Sequence, residues 1–173
     1  MNPRARLFTL PTSLVLVLLS ACGGENAPSA PASDVPERFY LASAPPSAQP
    51  VGAVVATAKD GDEVVVTGRV GGAKKVFIDG FAAFTIIDAI VPPCGVGKMD
   101  DCKTPWDYCC DAPEVLAKNG LSVELVADGQ PLRANARGFH GLDHLSTVVV
   151  TGKVARDSAG NVRVLASGLH VQP

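Results

Sequence analysis

The chain has 173 residues, 47% hydrophobic but only 5% aromatic, with 15 Lys and Arg against 17 Asp and Glu for a net charge of −2. That balance lacks the basic footprint nonspecific nucleic-acid binding needs, and no lysine or arginine block suggests a polybasic membrane patch.

The N-terminus, MNPRARLFTLPTSLVLVLLSAC, begins with Arg4 and Arg6, continues through an apolar run from Leu14 to Leu19 and closes on Leu19-Ser20-Ala21-Cys22. A basic start, a short apolar run and small residues at a cut site describe a secretory signal over residues 1–21. The run is well short of the roughly 20 apolar residues that cross a bilayer. LSAC resembles the bacterial lipobox, whose cysteine is lipidated and becomes the mature N-terminus. The resemblance implies acyl chains on Cys22 as a membrane anchor, and more than one chain is what stable anchoring takes. Gly23 rather than Asp follows it, and by resemblance to Gram-negative lipoproteins that implies an extracytoplasmic location, on the outer membrane facing the periplasm.

Residues 22–50 form the lipidated N-terminus and a stretch with six prolines and many alanines and serines. With no long apolar run to offset ordering, it reads as a disordered tether. As a coil its 28 residues beyond Cys22 would span about 30 Å; Phe39, Tyr40 and Leu41 are its sticky spot. Loss of Arg4 and Arg6 with the signal leaves 13 basic against 17 acidic residues, a net −4.

Residues 51–173 have the size of one domain. Val51 to Lys59 predicts a short helix ahead of the Asp60-Gly61 turn. Two near-identical heptapeptides follow, VVVTGRV at 64–70 and VVVTGKV at 148–154. In the first, Val64, Val66, Gly68 and Val70 share a face against Val65, Thr67 and Arg69; the second splits the same way. A β-branched run with a charge on one face predicts a half-buried strand, and a mid-strand glycine suits a sharp bend in a small barrel. Three more strands are expected: Phe81 to Asp88 (FAAFTIID), Leu121 to Ala127 (LSVELVA) and Val162 to Val171 (VRVLASGLHV), the last pairing with its predecessor across the SAGN hairpin. Arg137 to Leu145 (RGFHGLDHL) predicts a helical turn between the third and fourth strands. Asp60, Asp62 and Glu63 read as turn and strand-start chemistry.

This strand order, with its VxVxGxV and FxxxD patterns, resembles the OB-fold, in particular bacterial domains of the tRNA-anticodon-binding type. The resemblance covers most of 60–171 and implies an all-β, five-stranded Greek-key barrel with short helical segments. It implies fold more than function. The layout with CKTPWDYCC between the second and third strands also resembles lipoproteins of planctomycete-like bacteria, a family that brings no activity to carry over.

That Cys-rich insertion, Pro92 to Glu114, is where chemistry concentrates. A loop this long in a compact domain is functional or held by something, and with almost no aliphatic residues it needs cross-links in place of packing. Apart from Cys22 the cysteines number four, Cys94, Cys102, Cys109 and Cys110, an even count for a compartment where disulfides persist. Two disulfides, Cys109 and Cys110 each reaching one of Cys94 and Cys102, are the leading expectation, with no cofactor. Closing a loop of about 15 residues contributes roughly 3 kcal/mol in the chain-entropy model. The alternative is a metal site: four thiolates, or two with His140 and His144, could hold Zn²⁺ or, with soft sulfur, copper. Against it, C-x7-C-x6-C-C lacks a C-x2-C knuckle. A thiol-redox site ranks last, since no C-x-x-C is present.

His140 and His144 are four apart and share a face if their segment is helical, with Asp143 between them. The spacing matches H-E-x-x-H, but Gly141 stands where the base would be, which removes a peptidase reading. His170 is expected on a solvent face. Asp100, Asp101, Asp107, Asp111 and Glu114 make the insertion acidic, by default a solvated loop. No G-x-S-x-G, Walker or G-x-G-x-x-G motif is present, so no catalytic residue is assigned. The function expected from sequence is a lipid-anchored binding module for an unknown protein or small-molecule ligand. Trp106 and Tyr108 are candidate surface residues, nucleic acid is disfavoured, and a metal-binding lipoprotein is the alternative.

Overall fold

The computed structural model describes residues 32–96 and 102–172. The expected signal with Cys22, and Asp100 and Asp101, lie outside them. Five long strands, β2 (Glu63–Val70), β3 (Ala83–Ile87), β4 (Gly120–Ala127), β6 (Thr147–Arg156) and β7 (Val162–Val171), form a closed barrel in the order β2-β3-β4-β7-β6, with β6 returning to β2. Within the barrel every pairing is antiparallel except β4 with β7. This is the expected OB-fold-like Greek-key barrel, and the Cys-rich loop falls between its second and third strands, β3 and β4. Two-residue strands β1 (Gln49–Pro50) and β5 (Gln130–Pro131) extend the sheet at β2 and β4.

The repeated heptapeptides are direct neighbours, with Val64 opposite Gly152 and Gly68 opposite Val148. The alternation predicted for β2 is the observed one: Val64, Val66, Gly68 and Val70 face inward. The two glycines serve close approach. A Cβ on Gly68 would stand 2.7 Å from Val51 of helix α1 (Val51–Thr57), and one on Gly152 would collide with the Leu165 carbonyl and Ala166 Cα. Gly152 adjoins the β6–β7 register shift, where the bulge drives one backbone onto the other. Val51 and Val54 of α1 are fully buried, and the helix packs on β2 and β4. The Asp88 carboxylate, at the end of FTIID, accepts from Gly52 N–H at 2.7 Å and Ile90 N–H at 3.0 Å. Asp60 and Asp62 act as turn residues, accepting from Arg156 N–H and Lys59 N–H.

Part of the expected tether belongs to the fold. Val35 and Phe39 are buried, the latter in a 3-10 turn (Glu37–Phe39), and Tyr40 bridges to Leu169. Two apolar side chains four apart in a proline-rich stretch suffice when a barrel surface receives them. Among the described residues no helix is long and apolar enough to cross a membrane.

Candidate metal centre

The insertion is shaped by three local devices. Pro105–Asp107 form a 3-10 turn with proline at its start, where a missing N–H costs nothing. Asp107 fixes that turn from both sides: Oδ2 accepts from Thr104 Oγ1 at 2.8 Å, and Oδ1 from Cys109 N–H at 3.0 Å. Tyr108 then adopts φ 55°, ψ 29°. A left-handed residue there reverses the chain and returns Cys109 and Cys110 toward Cys94.

Packing as well as hydrogen bonding holds this loop to the barrel. Tyr108 is fully buried and clusters with Ile87 and Val91, with Leu116 and Leu145 against them. The expectation that cross-links must replace packing overlooked this anchor, and a fully buried Tyr108 is no surface residue for a ligand. A side chain on Gly71 would meet Trp106 O and Tyr108 Cε2 at 2.8 Å, so glycine lets the loop lie against β2's end. Gly72 N–H bonds Trp106 O at 2.9 Å, and Cys94 N–H bonds Pro105 O at 3.2 Å. Trp106 itself is half-buried and stacks on His144, centroids 4.2 Å apart.

The fold therefore gathers the cysteines. Donor atoms of Cys94, Cys102, Cys109 and Asp107 all lie within 4.8 Å of one another. No disulfide joins Cys94, Cys102, Cys109 and Cys110; the two expected cross-links are not what the structure contains. Burial raises the Cys94 pKa, but hydrogen bonds from the Cys110 backbone and thiol, and from Cys109 and Cys102, outweigh it and hold Cys94 below its ordinary value. Cys109 is pushed up to about 11, first by donating to Asp107. Burial raises Asp107 too, yet donation from the Cys109 N–H, the Thr104 hydroxyl and the Cys109 thiol keeps it below the usual carboxylate range. Asp107 thus carries negative charge, while the Cys109 thiol keeps a proton that an incoming cation would displace.

The donors fit a thiophilic ion. Zn–S bonds of about 2.3 Å put tetrahedral sulfurs roughly 3.8 Å apart, within the observed spread. Thiolate-rich sets suit Zn²⁺ or Cu⁺ and not Mg²⁺ or Ca²⁺, which take oxygen.

The histidine alternative is not assembled. The predicted helical turn is a 3-10 turn at Phe139–Gly141, broken by His140 at φ 45°, so the i, i+4 geometry is lost. His140 stacks on Tyr40 at 3.5 Å, its Nε2 2.8 Å from Glu37. His144 lies against Trp106, with Nδ1 3.1 Å from Asp143, whose carboxylate accepts from Arg137. Neither histidine belongs to the cysteine group. His170 is half-buried, with Nδ1 2.7 Å from Leu41 O. Asp107 emerges as a site residue that sequence reasoning left among solvated acids; its signal was T-x-x-D beside a cysteine. Glu114 lies in the first turn of α2 (Pro113–Asn119), and Asp111 N–H closes the turn onto Tyr108 O.

Comparison of the chain with family models, curated proteins and solved structures gives no match.

Proposed function

We propose that this chain is an extracytoplasmic lipoprotein, anchored through Cys22, whose OB-like barrel presents a thiolate site for Zn²⁺ or Cu⁺ on the β3–β4 loop. The observation that carries the metal reading is the convergence of Cys94, Cys102, Cys109 and Asp107 donors within 4.8 Å. Cys110, which donates to Cys94 through both backbone and thiol, is a further sulfur ligand within reach. The resemblance to planctomycete-like lipoproteins agrees with the LSAC motif and adds no activity. Elemental analysis of protein purified under reducing conditions tests the reading. One equivalent of zinc or copper per chain, lost in Cys102→Ser plus Cys109→Ser with the barrel still folded, supports it. Metal-free protein that takes up neither ion on titration overturns it.

A second reading, the barrel as a binding module for a protein or small molecule, is favoured by one observation. A cleft of about 660 Å³, lined in part by Gly72, Thr85, Ser122, Glu124, Asn161 and Arg163, has the size of a ligand site. In it Thr85 Oγ1 is buried without a hydrogen-bond partner. Native mass spectrometry tests this: a retained small molecule lost in Arg163→Ala supports it, and none supports the metal site alone.

A further inference from the structure

The four sulfurs of the loop are not equivalent. Cys94 is the buried one, 2% exposed, whereas Cys109 and Cys110 are exposed. Cys110 reaches Cys94 with both its backbone N–H and its thiol, while Cys109 and Cys102 reach it through their thiols alone. Cys102 and Cys109 share the 4.8 Å group with Cys94 and Asp107. A disulfide needs sulfurs about 2.05 Å apart and Cβ atoms about 3.8 Å apart, so side-chain rotation within this loop can join sulfurs already this near. Direct Cys109–Cys110 bonding would strain the intervening peptide. With Cys110 on Cys94, Cys102 is left to Cys109.

We infer that the loop is a redox-gated metal site, in which oxidation joins Cys94 to Cys110 and Cys102 to Cys109 and so expels the ion. This rests on the metal reading above. The two states exclude each other because thiolate is the ligand, and a disulfide sulfur no longer carries that charge. The oxidant is a small-molecule disulfide. A cysteine thiolate attacks one oxidant sulfur, the oxidant S–S bond breaks, and one small thiolate leaves. The partner cysteine thiolate then attacks the protein sulfur of the mixed disulfide and releases the second small thiolate. Each protein pair gives two electrons to one oxidant S–S bond. In sum, four protein thiols and two oxidant disulfides yield two protein disulfides and four small thiols, with the ion set free. In the loaded site Cys109 has given its proton up to the ion, so the exposed Cys109 and Cys110 are where the oxidant enters; buried Cys94 completes its bond from within. Tyr108 and Trp106 hold the loop to the barrel in both states, so the change stays local.

The test uses the full chain, reduced, loaded with one equivalent of zinc and then exposed to a hundred-fold excess of oxidised glutathione. Zinc release is followed with a chromophoric chelator, and thiols are counted by alkylation and mass. The expected result is release of the whole equivalent together with loss of all four thiol labels, reversed by reductant and fresh zinc. Tryptic cleavage after Lys98 and Lys103 separates Cys94, Cys102 and the Cys109–Cys110 peptide. Fragment ions between the neighbours then show Cys94–Cys110 and Cys102–Cys109. Cys102→Ser should leave Cys109 as the labelled neighbour. Zinc held together with four thiols under the oxidant, glutathione adducts in place of internal bonds, or the opposite pairing would overturn the inference. Reduced protein that takes up no zinc fails earlier, before oxidant is added, and sinks the metal reading itself.

Discussion

At the scale of single residues, small groups decide how closely backbones can approach. Gly152 stands where β6 and β7 change register, and a methyl group there would meet the Leu165 carbonyl and Ala166 Cα. Those are backbone atoms in a closed barrel, so relief requires moving a strand. Gly152→Ala is therefore expected to cost roughly 1–3 kcal/mol, read as a lower urea midpoint with an unchanged m-value. Gly129→Ala, in a turn with no atom within 4 Å of the added Cβ, separates crowding from left-handed φ cost. Charge is local as well. Burial opposes ionisation of Asp143, but the Arg137 side chain and the His144 N–H overcome it and lower its pKa. His144, desolvated beside Trp106 and near Arg137, is also lowered. Both groups bind fewer protons folded than unfolded, so stability rises with pH through their range. The His144 contribution is present above about pH 6.5 and fades as pH falls below it. That of Asp143 is present above about pH 4 and fades further down. Asp143 is partly exposed, so its share is modest. Urea midpoints from pH 7 to pH 3 should fall in both ranges, and Asp143→Asn should flatten the lower one; an unchanged acid slope in that variant would refute the assignment.

At the scale of elements, the loop is as good as its anchor. Tyr108 is the largest fully buried side chain of the insertion, and its hydroxyl is 3.5 Å from the Arg69 guanidinium. Burial raises its pKa against the pull of Arg69, so it stays a neutral phenol. Packing dominates over so long a hydrogen bond. Tyr108→Phe should leave thermal stability and zinc uptake nearly unchanged, whereas Tyr108→Ala should cost about 3–5 kcal/mol and weaken metal binding by scattering the cysteines. Equal effects of the two substitutions on the melting temperature would show that the hydroxyl matters instead. The strands were legible because their information is local: valines alternate in VVVTGRV, and the Ser158–Asn161 turn is written in the chain. The reason for each mid-strand glycine was not local, since Val51 and Leu165 come from elsewhere. The same limit applies to the loop. Its cysteines announced a cluster, yet the ligand partners depended on Asp107 turning the backbone and Tyr108 filling a hollow beside Ile87. His140 and His144 looked paired only on the assumption of a helix, which Gly138, Gly141 and the φ of His140 interrupt.

At the scale of the whole molecule, the question is how much of the N-terminal chain belongs to the barrel. Composition marked residues 22–50 as tether because local hydrophobicity is low, but Val35 and Phe39 find their partners across the barrel. Each buried side chain of this kind contributes about 1.5–3 kcal/mol, aided by the Tyr40–His140 stack. A chain starting at Val51 should therefore melt lower than one starting at Ala32; equal melting temperatures would show that the segment merely rests on the surface. The proposed lipidation of Cys22 has its own test. On the proposed lipoprotein reading, Cys22→Ser removes the acceptor sulfur while leaving the basic start and the Leu14–Leu19 run intact, so export would continue while lipid-dependent processing would stop. The variant should appear as soluble or uncleaved protein, while the wild type fractionates with membranes at a mass that includes acyl chains. A Cys22→Ser protein that is still processed and still membrane-bound would show that something other than this cysteine holds the barrel at the surface.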